Sequence, residues 1–378
     1  MEVIVIGAGV SGLTTAIRLL ERGHEVVIWA KERLADTTSH VAAATWIPYA
    51  VGGDHAVQWA EESLAAFRAL MTQAPPEVSG IVAREFHVLS QRPQADPPWM
   101  TSAQAQRLTP EELRQAGYAW GLRFSAPVVD MSIYLGYLEA EVRRRHGRIV
   151  HRSVSSWAEV MASWQDAFPH EPSSTETRRA IINCAGLGAR ELVGRDQDQR
   201  DSSDGLGVHA ARGQVVRIAS QGFEKVLLNE DDPSRPTYVV PRLHDIILGG
   251  TYQEGEEARL VESETHDDIL KRCADLLIGY DQHFALSVAA LAGEAFAAEF
   301  GRRLRSDTAS RVVKSSPASR IGDVSDDCGL RPARAEVCLK GDALTPAWYL
   351  VHNYGHGGSG VTLSWGCANE VAALLSDG

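Results

Sequence analysis

Glu2-Val-Ile-Val-Ile6, Gly7-Ala-Gly9-Val-Ser-Gly12 and Leu13-Thr-Thr-Ala-Ile-Arg-Leu-Leu-Glu-Arg22 follow one another without a break. The first run is short, apolar and bounded by glycine, which predicts a buried strand. The third carries apolar residues at helical spacing and closes at Gly23. Glu25-Val-Val-Ile-Trp-Ala30 predicts a second strand, so the segment reads as a βαβ unit. Inside it Gly7, Gly9 and Gly12 fit G-x-G-x-x-G. The first glycine makes the tight turn, the second lets a pyrophosphate approach the backbone, and the third lets helix and strand pack closely. Ala8, Val10 and Ser11 complete the loop. The helix start behind it supplies free N–H donors and a partial positive charge. Glu32 lies the ~20 residues beyond Gly12 at which an acidic side chain takes the ribose hydroxyls. The segment predicts dinucleotide binding.

Two further stretches bear on which dinucleotide. A nicotinamide dehydrogenase usually continues as unbroken βαβ units, whereas here Thr37-Thr38-Ser39-His40-Val-Ala-Ala-Ala-Thr-Trp46 follows the second strand. Threonines and small residues there can pass beneath an extended cofactor. A second Gly-rich loop, Gly355–Gly360, stands near the other end of the chain. A cofactor contacted from both ends of the sequence is a long one, which favours FAD.

The chain has 378 residues, enough for about two domains. Its 44% hydrophobic and 23% charged residues are those of an ordinary globular protein, which excludes disordered, collagen-like and coiled-coil classes. The formal charge of −12 argues against nucleic-acid and anionic-membrane partners, which need a basic footprint. Five cysteines, none at CxxC spacing, predict reduced buried thiols. His352 and His356 stand four apart, but in a glycine loop without a third ligand, so no metal is expected. The first residues have no basic n-region, no apolar run reaches ~18 residues, and Leu-Ser-Asp-Gly is not a peroxisomal tail, so we expect a cytoplasmic protein.

Periodicity predicts helices at 56–73, Ser132–His146, 265–280 and 284–305, and strands at Ile149–Val154, Ala180–Cys184 and 346–352. Tyr238–Pro241 and Asp245–Tyr252 predict a hairpin. A C-terminal helix should begin near Gly360, and the charged stretches Gln165–Arg179 and Asp196–Asp204 should be surface loops.

Leu350-Val-His-Asn-Tyr-Gly355-His-Gly-Gly-Ser-Gly-Val-Thr362, followed by Gly366-Cys-Ala368, resembles the signature of the D-amino-acid oxidase family throughout. Other pieces fall in that family's order. They are Thr37–Ala43, Ile182-Asn-Cys-Ala-Gly186, Ala211-Arg-Gly-Gln214, Thr237-Tyr-Val-Val-Pro241 and Cys328-Gly-Leu-Arg-Pro-Ala-Arg334. The resemblance covers nearly the whole chain, with gaps near 85–125 and 281–326.

The resemblance implies an α/β fold, in which a Rossmann-like FAD-binding domain (1–54, 128–210 and 326–378) interleaves with an α+β, antiparallel-sheet substrate domain (55–127 and 211–325). It implies oxidative deamination of a D-amino acid by hydride transfer from Cα to flavin N5. The products are a 2-oxo acid, ammonia and hydrogen peroxide. Arg331 would clamp the substrate carboxylate with two parallel charge-assisted bonds, and Tyr238 would donate its hydroxyl to the same group. FAD would be held by Gly7 to Gly12, Glu32, Thr37, Thr38, Ala43, Ala44, Val154, Ala185, Gly186 and Arg331. Gly355, Gly358, Ser359, Gly360, Val361 and Thr362 would run along the ring, with Thr362 steadying its pyrimidine oxygens. The expected partners are an amino acid and O2, with a homodimer left open. Alternatives are an oxidase of glycine, sarcosine or a specialised amino acid, a non-catalytic flavin scaffold and, disfavoured by the C-terminal loop, a nicotinamide dehydrogenase.

The chain departs from the family at four places. A second tyrosine, usual four residues before the one matched by Tyr238, is Ser234, and the glycine usual after Pro241 is Arg242. The loop ahead of Tyr238 carries Glu230, Asp231 and Asp232, with Arg235 closer to the tyrosine. An acidic lid predicts a neutral or basic D-amino acid. The 281–326 segment is longer than the family pattern, so Phe284–Arg305 reads as a lid, a dimer contact or a plain surface helix.

Overall fold

The computed structural model describes residues 1–48, 52–169, 178–193, 207–220, 222–307 and 321–377. They divide into two compact units. One comprises Met1–Gly80, Met131–Ala211 and Arg331–Gly378; the other comprises Ile81–Asp130 and Arg212–Leu330.

The first unit is built on strand Glu2–Ile6, which pairs in parallel with Glu25–Ala30 on one side and Arg179–Asn183 on the other. Val3 to Ile6 are all buried, which is why this strand reads as a continuous apolar run rather than an alternating one. Arg148–His151 extends the parallel sheet beyond Glu25–Ala30, and Trp348–His356 extends it beyond Arg179–Asn183. The end of the long strand Ile321–Thr345, from Ala333 on, runs antiparallel to Trp348–His356. Helix Val10–Glu21 crosses between the first two strands, and Met131–Arg144 packs against it.

Helix Ala56–Gln73, which we expected in the second domain, belongs to this first unit. It packs on the C-terminal helix Gly360–Asp377 so closely that a Cβ at Gly366 would come within 2.2 Å of the Trp59 carbonyl oxygen. Ser63 Oγ accepts the N–H groups of Trp365 and Gly366 at 3.2 and 2.9 Å. The boundary therefore falls after Gly80 rather than at 54, because the small residues that let two helices touch are at Gly366 and Ser63.

The second unit is a mixed sheet in the order Gln106–Arg107, Trp120–Val129, Ile81–Ser90, Lys225–Asn229, Thr237–Pro241, Ile246–Gly249 and His209–Ser220. Ile81–Ser90 pairs in parallel with Lys225–Asn229, and the remaining neighbours are antiparallel. The hairpin expected from 238–252 is present, its second strand shortened to Ile246–Gly249. Composition concealed the long pair Ile81–Ser90 and Trp120–Val129, whose apolar residues are interrupted by Arg84, Glu85, Arg123 and Pro127.

Helices Ser263–Leu277, Gln282–Leu291 and Glu294–Asp307 belong to this unit. The helix expected over 284–305 is broken by Gly293, whose φ of +105° is a conformation other residues rarely adopt. Phe284, Val288, Phe300 and Leu304 are buried in one cluster with Leu227, Val239 and Leu248 of the sheet. Phe284–Arg305 is therefore a pair of helices that bury one face in this core and leave the other exposed. Residues 308–320 of this insertion lie outside the described residues, as do 170–177 and the whole of Asp196–Asp204 from the expected loops. Among the described residues no helix is long and apolar enough to cross a membrane.

Candidate active site

In the first unit the glycine loop is shaped by backbone that leaves no room for side chains. Gly7 has a φ of +106°, and a Cβ on it would stand 2.4 Å from the carbonyl oxygen of Cys184. A Cβ on Gly12 would stand 1.9 Å from the oxygen of Gly7. Helix Val10–Glu21 begins with Gly9 as its N-cap, without a side-chain cap and without an acidic residue in its first turn. Its positive end is thus open to an anion. Val10 N–H donates to Ser39 Oγ at 3.0 Å, which ties this loop to the Thr37–Ala43 segment. There Thr37 Oγ1 donates to the Leu34 carbonyl at 2.7 Å, Thr38 opens a short helix ending at Val41, and Ala44 adopts a φ of +58°. Glu32 is exposed just past the end of the second strand.

The C-terminal loop joins the same region through a buried polar chain. Asn353 Nδ2 donates to Thr15 Oγ1 at 3.1 Å, and His356 Nε2 lies 3.0 Å from Asn353 Oδ1. Burial lowers the His356 pKa to about 4, so its imidazole is neutral at ordinary pH. Asn183 Nδ2 lies 3.3 Å from His352 Nδ1, while its Oδ1 accepts the Ala185 N–H at 3.2 Å. Both histidines thus contact asparagine side chains. Helix Gly360–Asp377 again starts without an acidic residue in its first turn. Thr362 Oγ1 donates to the carbonyls of Thr45 and Ile47, at 3.2 and 3.0 Å. Its hydroxyl proton is thereby engaged with backbone.

Arg331 is half-buried in strand Ile321–Thr345, and its neighbour Pro332 faces Gly186, where a Cβ would stand 3.9 Å from Pro332 Cγ. Gly186 has a φ of +57°. Arg334 supports the segment, its guanidinium carbon 5.7 Å from the centroid of the Tyr354 ring. Val154 and Ala185 both border the apolar cluster formed by Ile4, Ile6, Val27 and Trp29. Residues expected to hold the cofactor, scattered from Gly7 to Thr362, all belong to the first unit. The uncapped start of helix Val10–Glu21 and the glycine cradles that a Cβ would fill suit a flavin dinucleotide.

Tyr238 belongs to the second unit. It pairs with Leu228 on one side and Gly249 on the other. A Cβ at Gly249 would meet its Cε2 and Cζ at 2.0 Å, and one at Gly250 its hydroxyl at 2.6 Å. The Gly249-Gly250 pair thus makes the bed on which the tyrosine ring rests. Sequence reasoning missed this role, although two glycines inside a strand pattern are the usual sign of close approach. It also missed Arg272, which donates to Thr237 Oγ1 at 2.7 Å and to the carbonyls of Arg235, Pro236 and Gly250. Arg235 itself is paired with Asp268.

A family model described as FAD dependent oxidoreductase matches residues 2–374. The chain belongs to this family. Within the FAD dependent oxidoreductases it is similar to a D-amino-acid oxidase of Rubrobacter xylanophilus, 36% identical over 98% of this chain and 94% of the relative. A D-amino-acid oxidase of Streptomyces coelicolor is 32% identical over 99% of this chain and 97% of the relative. Among solved structures, a glycine oxidase from Geobacillus kaustophilus matches with a TM-score of 0.68 at 16% identity, covering 99% of this chain and 94% of that one. That last likeness is one of fold.

Proposed function

We infer that this protein catalyses the FAD-dependent oxidative deamination of D-amino acids. The observation that carries the reading is the full-length similarity to D-amino-acid oxidases. The N–H groups at the start of helix Val10–Glu21 would hold the pyrophosphate, Glu32 the ribose, and the Gly355–Thr362 loop the ring. Thr37, Thr38, Ala43, Ala44, Val154, Ala185 and Gly186 would line its path. The Rossmann-like unit is then the FAD-binding domain, and the mixed sheet the substrate domain.

Arg331 would hold the substrate carboxylate bidentately, and Tyr238 would donate its hydroxyl to the same group. Together they would fix Cα in one orientation, which is the greater part of what the protein must supply to this reaction. The amine would enter neutral, so no strong base is needed. When bound, FAD supplies the two-electron acceptor and passes the electrons to O2, giving hydrogen peroxide. The imino acid product takes up water to give a 2-oxo acid and ammonia.

The test is spectroscopic. The purified protein should be yellow, and D-alanine should bleach the flavin without oxygen while L-alanine does not. Bleaching by no amino acid would overturn the reading in favour of a flavin scaffold. A glycine oxidase would be bleached by glycine in preference to D-alanine.

A further inference from the structure

Arg272, on helix Ser263–Leu277, turns its guanidinium mainly onto backbone. All three of its side-chain nitrogens are engaged. Nε donates to Asp268 Oδ2, one turn earlier, at 2.8 Å. Nη1 donates to Thr237 Oγ1 at 2.7 Å and to the carbonyls of Arg235 and Pro236 at 3.0 and 3.2 Å. Nη2 donates to the Gly250 carbonyl at 3.1 Å. The side chain is only 17% exposed, so these bonds are largely shielded from competing water. Asp268 also pairs with Arg235, which draws the approach to the tyrosine strand into the same network.

The acceptors belong to the two segments that fix Tyr238. Arg235, Pro236 and Thr237 lead directly into it. Gly250 is the part of its bed beneath the hydroxyl, where a Cβ would stand 2.6 Å from that oxygen. Gly250 lies one residue beyond strand Ile246–Gly249. It is held to the tyrosine segment by its own N–H, which donates to the Pro236 carbonyl, and by the guanidinium on its carbonyl. Successive residues of a strand point to opposite faces. Thr237 meets Arg272 on the helix side of the sheet, and Val239 is buried there with Ile269 and Cys273. Tyr238, between them in strand Thr237–Pro241, presents its ring on the other face. The guanidinium thus ties the tyrosine strand to its glycine bed from behind.

We propose that Arg272 is a positioning residue for the reaction, which sets the place of the Tyr238 hydroxyl by clamping Pro236 and Thr237 against Gly250. The proposal rests on the oxidase reading above, in which that hydroxyl donates to the substrate carboxylate. A planar guanidinium fork holds acceptors on two segments at once, whereas an ammonium is a single point charge. A neutral amide loses the strength of charge-assisted bonds as well. Leu227, Val239 and Leu248 keep the sheet packed on its helices without the clamp, so its loss falls on the position of the hydroxyl rather than on the fold.

The experiment is a double-mutant cycle on kcat/KM for D-alanine, with Arg272→Gln, Tyr238→Phe and the two combined. The proposal expects Arg272→Gln to keep the wild-type flavin content and to lose about tenfold or more in kcat/KM, since a misplacement of about 1 Å can cost on the order of a hundredfold. In the Tyr238→Phe background no hydroxyl is left to misplace, and the same substitution should cost less than about twofold. A merely structural role gives the same factor in both backgrounds. That result overturns the proposal, and so does an unchanged kcat/KM in Arg272→Gln. If the glutamine variant does not fold, Arg272→Lys, which keeps the charge but not the fork, carries the same cycle. Either overturning result leaves the oxidase reading in place so long as D-alanine bleaches the wild type. A wild type that D-alanine cannot bleach overturns the oxidase reading first, and this proposal with it.

Discussion

The ring of Tyr238 occupies the space that a side chain at Gly249 would need, with Cζ and Cε2 2.0 Å from where a Cβ would be. The two residues are register partners in adjacent strands, so neither can move away without breaking the ladder. Gly249→Ala should therefore displace the tyrosine. A misplacement of about 1 Å costs on the order of a hundredfold in rate. We expect kcat/KM for D-alanine to fall by about that much, and at least as far as in Tyr238→Phe, while the protein still purifies with flavin. Full activity in Gly249→Ala would mean that Tyr238 does not position substrate.

Gly12→Ala tests the other unit. Its Cβ would stand 1.9 Å from the Gly7 carbonyl oxygen, and that neighbour is backbone with no freedom to give way. Either the helix start shifts or the turn opens, and both misalign the N–H groups that face a pyrophosphate. The variant should purify colourless or with a small fraction of the wild-type flavin absorbance. Wild-type flavin content would show that the loop does not hold the cofactor.

These two glycines also mark how far the sequence could be read. Gly12 belongs to a local pattern in which strand, turn and helix follow within about 30 residues, and local chemistry is enough to assign each glycine its role. Gly249 matters only because register brings Tyr238 beside it, and register is a long-range property. The break at Gly293 was missed for a related reason: Ala-rich helical spacing runs across it, and only the burial of both Phe284 and Phe300 shows two helices turning into one core. The acidic run was visible as charge, but which acid is spent on the turn depended on Ser90 and Gln91 in another strand.

His356 gives a pH signature. Burial holds its pKa at about 4, below the 6.5 of an unperturbed histidine. Between these values the unfolded chain takes up a proton that the folded protein refuses. Stability is therefore unaffected above pH 6.5 and declines as pH falls from there towards 4. The full loss is roughly 3 kcal/mol at most. Urea midpoints measured across this window should fall more steeply for wild type than for His356→Asn, which has no proton to gain. Equal slopes would show that His356 does not titrate differently on folding.

Arg242 stands where the family usually has glycine, and the structure supplies its reason. Its side chain is 1% exposed and forks onto Asp245, with Nε–Oδ1 at 2.6 Å and Nη2–Oδ2 at 2.5 Å. Arg217 reaches the same carboxylate at 3.5 Å. The pair closes the hairpin between Thr237–Pro241, which carries Tyr238, and Ile246–Gly249, which carries its glycine bed. Removing the acid alone strands a buried guanidinium, so Asp245→Asn should cost about 3–5 kcal/mol in a denaturant melt. The double variant Arg242→Met with Asp245→Leu removes both charges and should recover much of that loss, because a buried ion pair gains little over well-packed apolar side chains. A cost for Asp245→Asn below about 1 kcal/mol would class the pair with solvent-exposed ones. The hairpin would then owe its shape to Val239, Ile246 and Leu248 packing into the core beneath it.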